Sequence, residues 1–218
     1  MKRKFVIFDM DGVILDSEVG GFSFLQQNLS KRGIHIGIEE LLKKVGKNSY
    51  KIAEEIIKEY NIDETVDEFL EKNRKNGSYY TNCKELKTMD GLNELITILN
   101  KREIKLAVVS STRAVSVLTA LNRLKIVPHL NAIVSGDMVR NSKPDPEGYL
   151  MAADFLGAQP EECVVFEDSP IGIRAAKNAG MRVIGYKGSD LWQDTSAADM
   201  ECSSYRESID KLEMILEG

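Results

Sequence analysis

A chain of 218 residues, 43% hydrophobic and 29% charged with a formal net charge of −5, has the balance of an ordinary soluble globular protein. It is long enough for one large core, or for a core with a small second domain. Its mild acidity and lack of any long basic run argue against a nucleic-acid partner and against attachment to an anionic membrane.

The basic start runs into only four apolar residues, Phe5 to Phe8, before Asp9. That is too short for a signal peptide, and no stretch is long enough to span a bilayer. Cys83, Cys163 and Cys202 are odd in number, far apart and without a CxxC pair. They read as reduced thiols, which predicts a cytoplasmic setting and neither a disulfide frame nor a zinc site. His35 and His129 are too few and too distant for a histidine-based metal cluster, and read as surface or loop residues.

The first predicted element is a strand, "KFVIF" at 4–8, whose near-continuous apolar run suits burial on both faces. It ends in Asp9 and Asp11, then Gly12. Side chains two apart on a strand point the same way, so these two carboxylates would crowd one spot. Residues 17–88 then read as helices throughout. Phe22, Leu25 and Leu29 form one apolar stripe that stops at Gly33; Ile52, Ile56 and Tyr60 form another; Val66, Phe69 and Leu70 form a third. Ser49 and Asp63 are the predicted N-caps of the last two. With 12 basic and 12 acidic residues this insert is neutral, so the whole −5 falls on the remainder. The predicted organisation is a core formed by 1–16 and 89–218 with a helical cap at 17–88. Its predicted hinges are Gly20-Gly21 and "TMDG" at 88–91.

From about residue 90 strands and helices alternate. Leu92, Leu95, Ile96 and Leu99 keep helical spacing before "KLAVV" (105–109), and Val117, Leu118, Leu121 and Leu124 keep it before "AIV" (132–134). Asp145-Pro146 is a predicted helix start, and a fourth apolar run ends at Phe166. Ser169-Pro170 opens a further helix that Gly180 stops before "RVIGY" (182–186). This order predicts an α/β fold with a doubly wound parallel sheet. Trp192 sits in a polar segment and reads as a packed or half-exposed aromatic.

Ligands of such sheets bind outside the carboxyl ends of the strands. The residues that follow each apolar run are Asp9 and Asp11; Ser110, Ser111, Thr112 and Arg113; Lys143 in "SKPDP"; and Glu167-Asp168-Ser169. Four carboxylates on one edge would repel unless compensated. Mg²⁺ removes that problem, because it takes oxygen ligands and binds one or two carboxylates together with substrate phosphate. One aspartate can then act as a nucleophile that forms an acyl phosphate, and a second can move the proton. Lys143 and the Ser110 hydroxyl would supply charge and donors to the transferring oxygens.

"DMDGV" (9–13), "VVSS" (108–111), "SKPDP" (142–146) and "VVFEDSPIGIRAAKNAG" (164–180) resemble the four ordered motifs of the haloacid dehalogenase superfamily. The helical insert directly after the first motif is similar to its β-phosphoglucomutase-like branch. The resemblance implies a Rossmann-like core, Asp9 as nucleophile and Asp11 as general acid/base. Ser110 and Lys143 would hold the phosphoryl group. Mg²⁺ would be bound by Asp9, the Asp11 backbone carbonyl, and one or both of Glu167 and Asp168. True dehalogenases of the superfamily lack the second aspartate of the first motif, so Asp11 argues for phosphoryl transfer. Ser111, Thr112 and Arg113 are secondary candidates that also suit a helix cap.

The leading expectation is a Mg²⁺-dependent phosphatase of a small phosphorylated metabolite such as a sugar phosphate, acting as a monomer. The alternative is a β-phosphoglucomutase-type phosphomutase. The mutases this chain resembles grip a distal phosphate with a cap arginine and carry a cap histidine soon after the first motif. The matching positions here hold Ser49, in "VGKNSY", and Gly21, which weakens the mutase reading. Lys47, Asn48, Arg74 and Lys75 are the cap candidates for substrate contact. A receiver-type signalling domain also joins acidic residues, a hydroxyl and a lysine, but needs no helical lid of this size, so the enzyme reading prevails.

Overall fold

The computed structural model describes residues 3–45, 47, 49–75, 77–189, 191 and 193–217; Asn48 and Trp192 lie outside the described residues. The chain divides into two compact units, Met1–Asp16 with Leu86–Gly218, and Ser17–Glu85.

In the first unit, β1 (Phe5–Phe8) leads, after the inserted second unit, to a helix and then to β2 (Lys105–Val109), β3 (Ala132–Val134), β4 (Cys163–Glu167), β5 (Arg182–Tyr186) and β6 (Met200–Cys202). These strands form one parallel sheet in the order β3-β2-β1-β4-β5-β6. All residues of β1 and β4 are buried, as expected of central strands covered on both faces. β6, "MEC", has no apolar run to announce it and is the one strand of the sheet that the sequence pattern does not predict.

The second unit holds α1 (Glu18–Lys31), α2 (Ile38–Leu42), α3 (Ser49–Glu59), α4 (Val66–Arg74) and α5 (Tyr79–Asn82). It has its own apolar core of Phe22, Leu29, Ile36, Leu41, Ala53, Ile56 and Phe69. Gly20 and Gly21 are not hinges: both lie inside α1, and a Cβ on Gly20 would stand 2.3 Å from the Tyr79 ring. The small residue there admits a close-packed aromatic. The cap of α4 is Thr65 rather than Asp63, because Thr65 and Glu68 satisfy each other's backbone N–H groups in a capping box. Ser49 is the first residue of α3 rather than its cap.

The first unit continues with α6 (Leu92–Lys101), α7 (Ala114–Arg123), α8 (Glu147–Leu156), α9 (Pro170–Asn178), α10 (Tyr205–Asp210) and α11 (Leu212–Leu216). Ile7, Ala107, Val165 and Val183 share a cluster with Tyr149, Ala152, Ala153 and Leu156 of α8 and Ile173, Ala175 and Ala176 of α9. Phe8 and Phe166 turn to the other face, where Tyr205 of α10 meets them. Ser169 caps α9 by accepting from Gly172 N, with Pro170 in the first turn and Gly180 (φ +80°) after its C-cap Ala179. α8 starts one residue later than its sequence suggests. Pro146 takes the cap position, and Asp145 Oδ1 accepts from Glu147 N at 3.0 Å. Among the described residues no helix is long and apolar enough to cross a membrane.

Candidate active site

The strand order reverses direction at the β1–β4 pair, and these two strands run in step, with Phe8 opposite Phe166. Their carboxyl ends make the crevice in which open α/β sheets place ligands. The register carries one residue further, since Asp9 N donates to Phe166 O at 3.0 Å. Asp9 and Glu167 therefore emerge side by side.

Lys143 reaches between them. Its Nζ donates to Asp9 Oδ1 and to Glu167 Oε1, the latter at 2.6 Å. The ammonium also lies over the Tyr149 ring, 5.1 Å from its centroid. Burial alone would depress the lysine pKa, but Asp9, Glu167 and Tyr149 outweigh it and hold the group well above the ordinary value. Burial raises the Asp9 carboxyl to about 8, with Glu167 and Asp11 adding to the rise and Lys143 opposing it. A carboxylate so placed is stabilised by any further positive charge brought to it.

Glu167 is fully buried, and both of its oxygens are occupied. Oε1 accepts from Lys143 and from the Tyr149 hydroxyl (2.8 Å); Oε2 accepts from Ser169 N and Ser169 Oγ, each at 3.0 Å. Gly172 makes room for it, since a Cβ there would stand 1.7 Å from Oε1. Asp168 is matched by a second glycine. Gly12 has φ +80°, and a Cβ on it would meet Asp168 Oδ2 at 2.0 Å, so the turn after β1 is shaped around that carboxylate.

Asp11 is held from β2's side. Thr112 Oγ1 donates to Asp11 Oδ2 at 3.2 Å, and Thr112 N donates to Ser110 Oγ at 3.0 Å. Ser110 is buried, and its N–H bonds Val134 O at 3.0 Å. Thr112 thus touches the two motifs that sequence reading joined only by order. Ser111 is exposed. Arg113 takes the N-cap position of α7 with its side chain 60% exposed and its Nε 4.0 Å from Asp137. Asp137 serves the same turn, accepting from Ala114 N (2.8 Å) and Ser135 Oγ (2.7 Å). Those bonds lower its pKa.

The remaining candidates belong to the helical unit. Lys47 Nζ bonds both Glu55 oxygens, at 2.6 and 2.8 Å. Its neighbour Lys44, which the sequence did not single out, is buried and pairs with Glu59 and Glu55. Lys75 is the exposed C-cap residue of α4, and Arg74 ends that helix, also exposed.

A metal would find oxygen donors and no nitrogen or sulfur ligand at this edge. Among the described residues no three histidine, cysteine, aspartate or glutamate side chains stand as a ready-made cage. Glu167 is occupied by four donors, and Asp9 and Asp168 stand with it at the ends of β1 and β4. That donor set suits Mg²⁺, which binds through one or two carboxylates, and suits Zn²⁺ poorly. The positive charge that compensates Asp9 and Glu167 in this structure is Lys143.

The fold and this edge are those of an α/β protein with a buried carboxylate–lysine site at its topological switch point, and comparison with known proteins names the family. The sequence profile of the haloacid dehalogenase-like hydrolases matches residues 6–186. The "Phosphorylated carbohydrates phosphatase" of Thermotoga maritima is 33% identical over 181 residues, which cover 82% of each chain. The "Beta-phosphoglucomutase" of Bacillus subtilis is 33% identical over 193 residues, 84% of this chain and 82% of its own. The solved structure of the β-phosphoglucomutase from Clostridium difficile superposes with a TM-score of 0.77 at 25% identity, covering 93% of this chain and 92% of that one. The chain belongs to the haloacid dehalogenase-like hydrolases, in their β-phosphoglucomutase-like group, and it is an enzyme.

Proposed function

We propose that the protein is a Mg²⁺-dependent phosphohydrolase of a small phosphorylated carbohydrate, working through an aspartyl phosphate. The observation that carries this reading is the separation of environments between two aspartates two positions apart. Asp9 is buried against Lys143, whereas Asp11 is partly exposed and bonded to Thr112. Two carboxylates in unlike surroundings can divide nucleophilic and proton-moving work.

In this reading an Asp9 carboxylate oxygen attacks phosphorus, and the bond from phosphorus to the sugar oxygen breaks. Asp11 gives that oxygen its proton. Lys143 and Ser110 hold the transferring oxygens as negative charge spreads over them. Asp11, now ionised, takes a proton from the water that attacks the phosphoryl group, which regenerates Asp9 and releases phosphate. Asp9, Asp168 and the Asp11 backbone carbonyl would hold Mg²⁺, which when bound would supply positive charge that offsets the repulsion between an anionic carboxylate and an anionic phosphoryl group. Glu167 acts from behind by fixing Lys143. The helical unit, at 17–88 by its sequence pattern, acts as the cap that excludes water and selects the substrate. The similarity to a phosphatase of phosphorylated carbohydrates supports the substrate class. The free cysteines support a reducing, cytoplasmic setting.

The similarity to the Bacillus mutase supports a second reading, in which the phosphoryl group returns to another hydroxyl of the same sugar. Ser49 and Gly21, where such mutases carry arginine and histidine, favour the hydrolase. Incubation with β-glucose 1-phosphate and a trace of the 1,6-bisphosphate separates the two. Stoichiometric free phosphate is expected; glucose 6-phosphate without phosphate release would replace the hydrolase by the mutase. Chelation with EDTA is expected to abolish either activity, and full activity in EDTA would remove the metal.

A further inference from the structure

We infer that Tyr205 is a positioning residue for Asp11, acting through the backbone of the turn that carries it. The inference deepens the function proposed above and rests on Asp11 being the proton donor. Tyr205 lies beyond the residues that the family profile matches, which end at 186. It opens α10 and is fully buried, and its hydroxyl donates to Val13 O at 2.8 Å.

Val13 is itself buried and stands two residues after Asp11, in a turn where three other carbonyls are met by backbone N–H groups. Met10 O accepts from Ile14 N (2.8 Å) and Leu15 N (3.2 Å), Leu15 O accepts from Gly12 N (2.9 Å), and Ile14 O accepts from Met89 N (2.8 Å). Val13 O is bonded instead by a side chain that arrives from the far end of the sequence. A buried carbonyl deprived of its donor carries an uncompensated desolvation penalty, and a turn can avoid it by shifting towards another partner.

The hydroxyl is aimed from a rigid mount. The Tyr205 ring stacks on Tyr186, centroids 4.4 Å apart and planes within 21°. It also meets Phe166 at 5.8 Å and Phe8 at 6.4 Å. Phe8 and Phe166 directly precede Asp9 and Glu167. One aromatic cluster therefore underlies the strand ends that carry Asp9 and Glu167 and, through a single hydrogen bond, the turn that carries Asp11. Thr112 holds the Asp11 carboxylate; Tyr205 holds the backbone beneath it.

The test compares phenyl phosphate with p-nitrophenyl phosphate, which are similar in shape and differ in how much their leaving oxygen needs a proton. Tyr205→Phe keeps the ring and removes the hydroxyl. With folding verified by thermal melting, kcat/KM, which reports the step that expels the leaving oxygen, is expected to fall about ten-fold for phenyl phosphate and by no more than about two-fold for p-nitrophenyl phosphate. Equal losses on the two substrates would overturn the proposal, because a purely structural defect does not sense the leaving group. In an Asp11→Asn background Tyr205→Phe should add nothing on phenyl phosphate, and an undiminished further loss would likewise overturn it. Asp11→Asn alone checks the underlying reading: if it shows no leaving-group disparity, the proton-donor assignment itself fails. Should Tyr205→Phe not fold, Ser204→Ala, which loosens the start of α10, carries the test. A smaller disparity of the same sign supports the proposal, and equal losses count against it.

Discussion

Both units of this chain bury lysines beside glutamates, yet the two kinds of network differ in what they leave unspent. In the helical unit Lys44 and Lys47 pair with Glu55 and Glu59, and Arg32 and Lys72 pair with Glu64, with one or both partners of most pairs reaching solvent. Such pairs contribute little each, and, Lys44 aside, losing one partner leaves the other to water. In the α/β unit Lys143 is enclosed by Asp9, Glu167 and Tyr149, with side-chain exposures of 9%, 11% and 0% for the lysine and the two acids. Removing one member there strands a charge out of water. The difference teaches where charge is structural upholstery and where it is held ready for a reaction.

Substitutions can break or sharpen that contrast. The largest effect is expected from Asp9→Asn, which should lower turnover of p-nitrophenyl phosphate by at least about 10³-fold while melting stays near that of the wild type. A rate close to wild type would end its role as nucleophile. Lys143→Met should cost about 3–5 kcal/mol of stability by denaturant titration, and about 10²–10³-fold in turnover. Lys47→Met, in the helical unit, should cost less than about 1 kcal/mol; equal costs for the two lysines would erase the distinction. Thr112→Val removes one hydrogen bond to a carboxylate and should lower kcat on phenyl phosphate about ten-fold, with unchanged melting.

The smallest effect concerns acid stability. Burial would raise the Glu64 carboxyl, but Lys72 and Arg32 outweigh it and hold its pKa below the ordinary 4.5. A group depressed on folding stabilises the protein above its unfolded pKa, and that contribution fades as pH falls through the folded value. Between about pH 7 and about pH 3, Glu64→Gln should therefore lose less stability than the wild type, by under about 1 kcal/mol. Parallel melting curves for the two would show that the pair contributes nothing.

Much of the α/β unit was legible because its strands are apolar runs and its chemistry follows them directly. The fold class, β2, β3 and β5, and the grouping of Asp9, Lys143 and Glu167 at one edge all follow from that pattern. β6 was not legible because three mixed residues pair only once the edge of β5 exists. Gly20 and Gly21 read as a hinge because sequence shows that glycine is permissive, but not that Tyr79 needs the space. Tyr149 and Tyr205 escaped for a related reason, and Thr112 stood only among the secondary candidates. Each looks locally like a core aromatic or a helix-cap residue, and each acquires its role from a partner distant in sequence, Glu167, Val13 and Asp11 respectively. Lys143 was assigned to the substrate alone, whereas its resting partners are the carboxylates it stands between.

The pairing of Phe8 with Phe166 has a consequence for how this chain tolerates change. Because strand side chains alternate faces, sliding β4 by one residue against β1 would turn Glu167 into the apolar layer opposite and offer Asp168 to Lys143 in its place. The hydrogen-bond ladder between two short hydrophobic strands therefore works as a vernier for the catalytic groups. A one-residue insertion in either strand would misalign the reacting edge even where every active-site residue remained in the sequence.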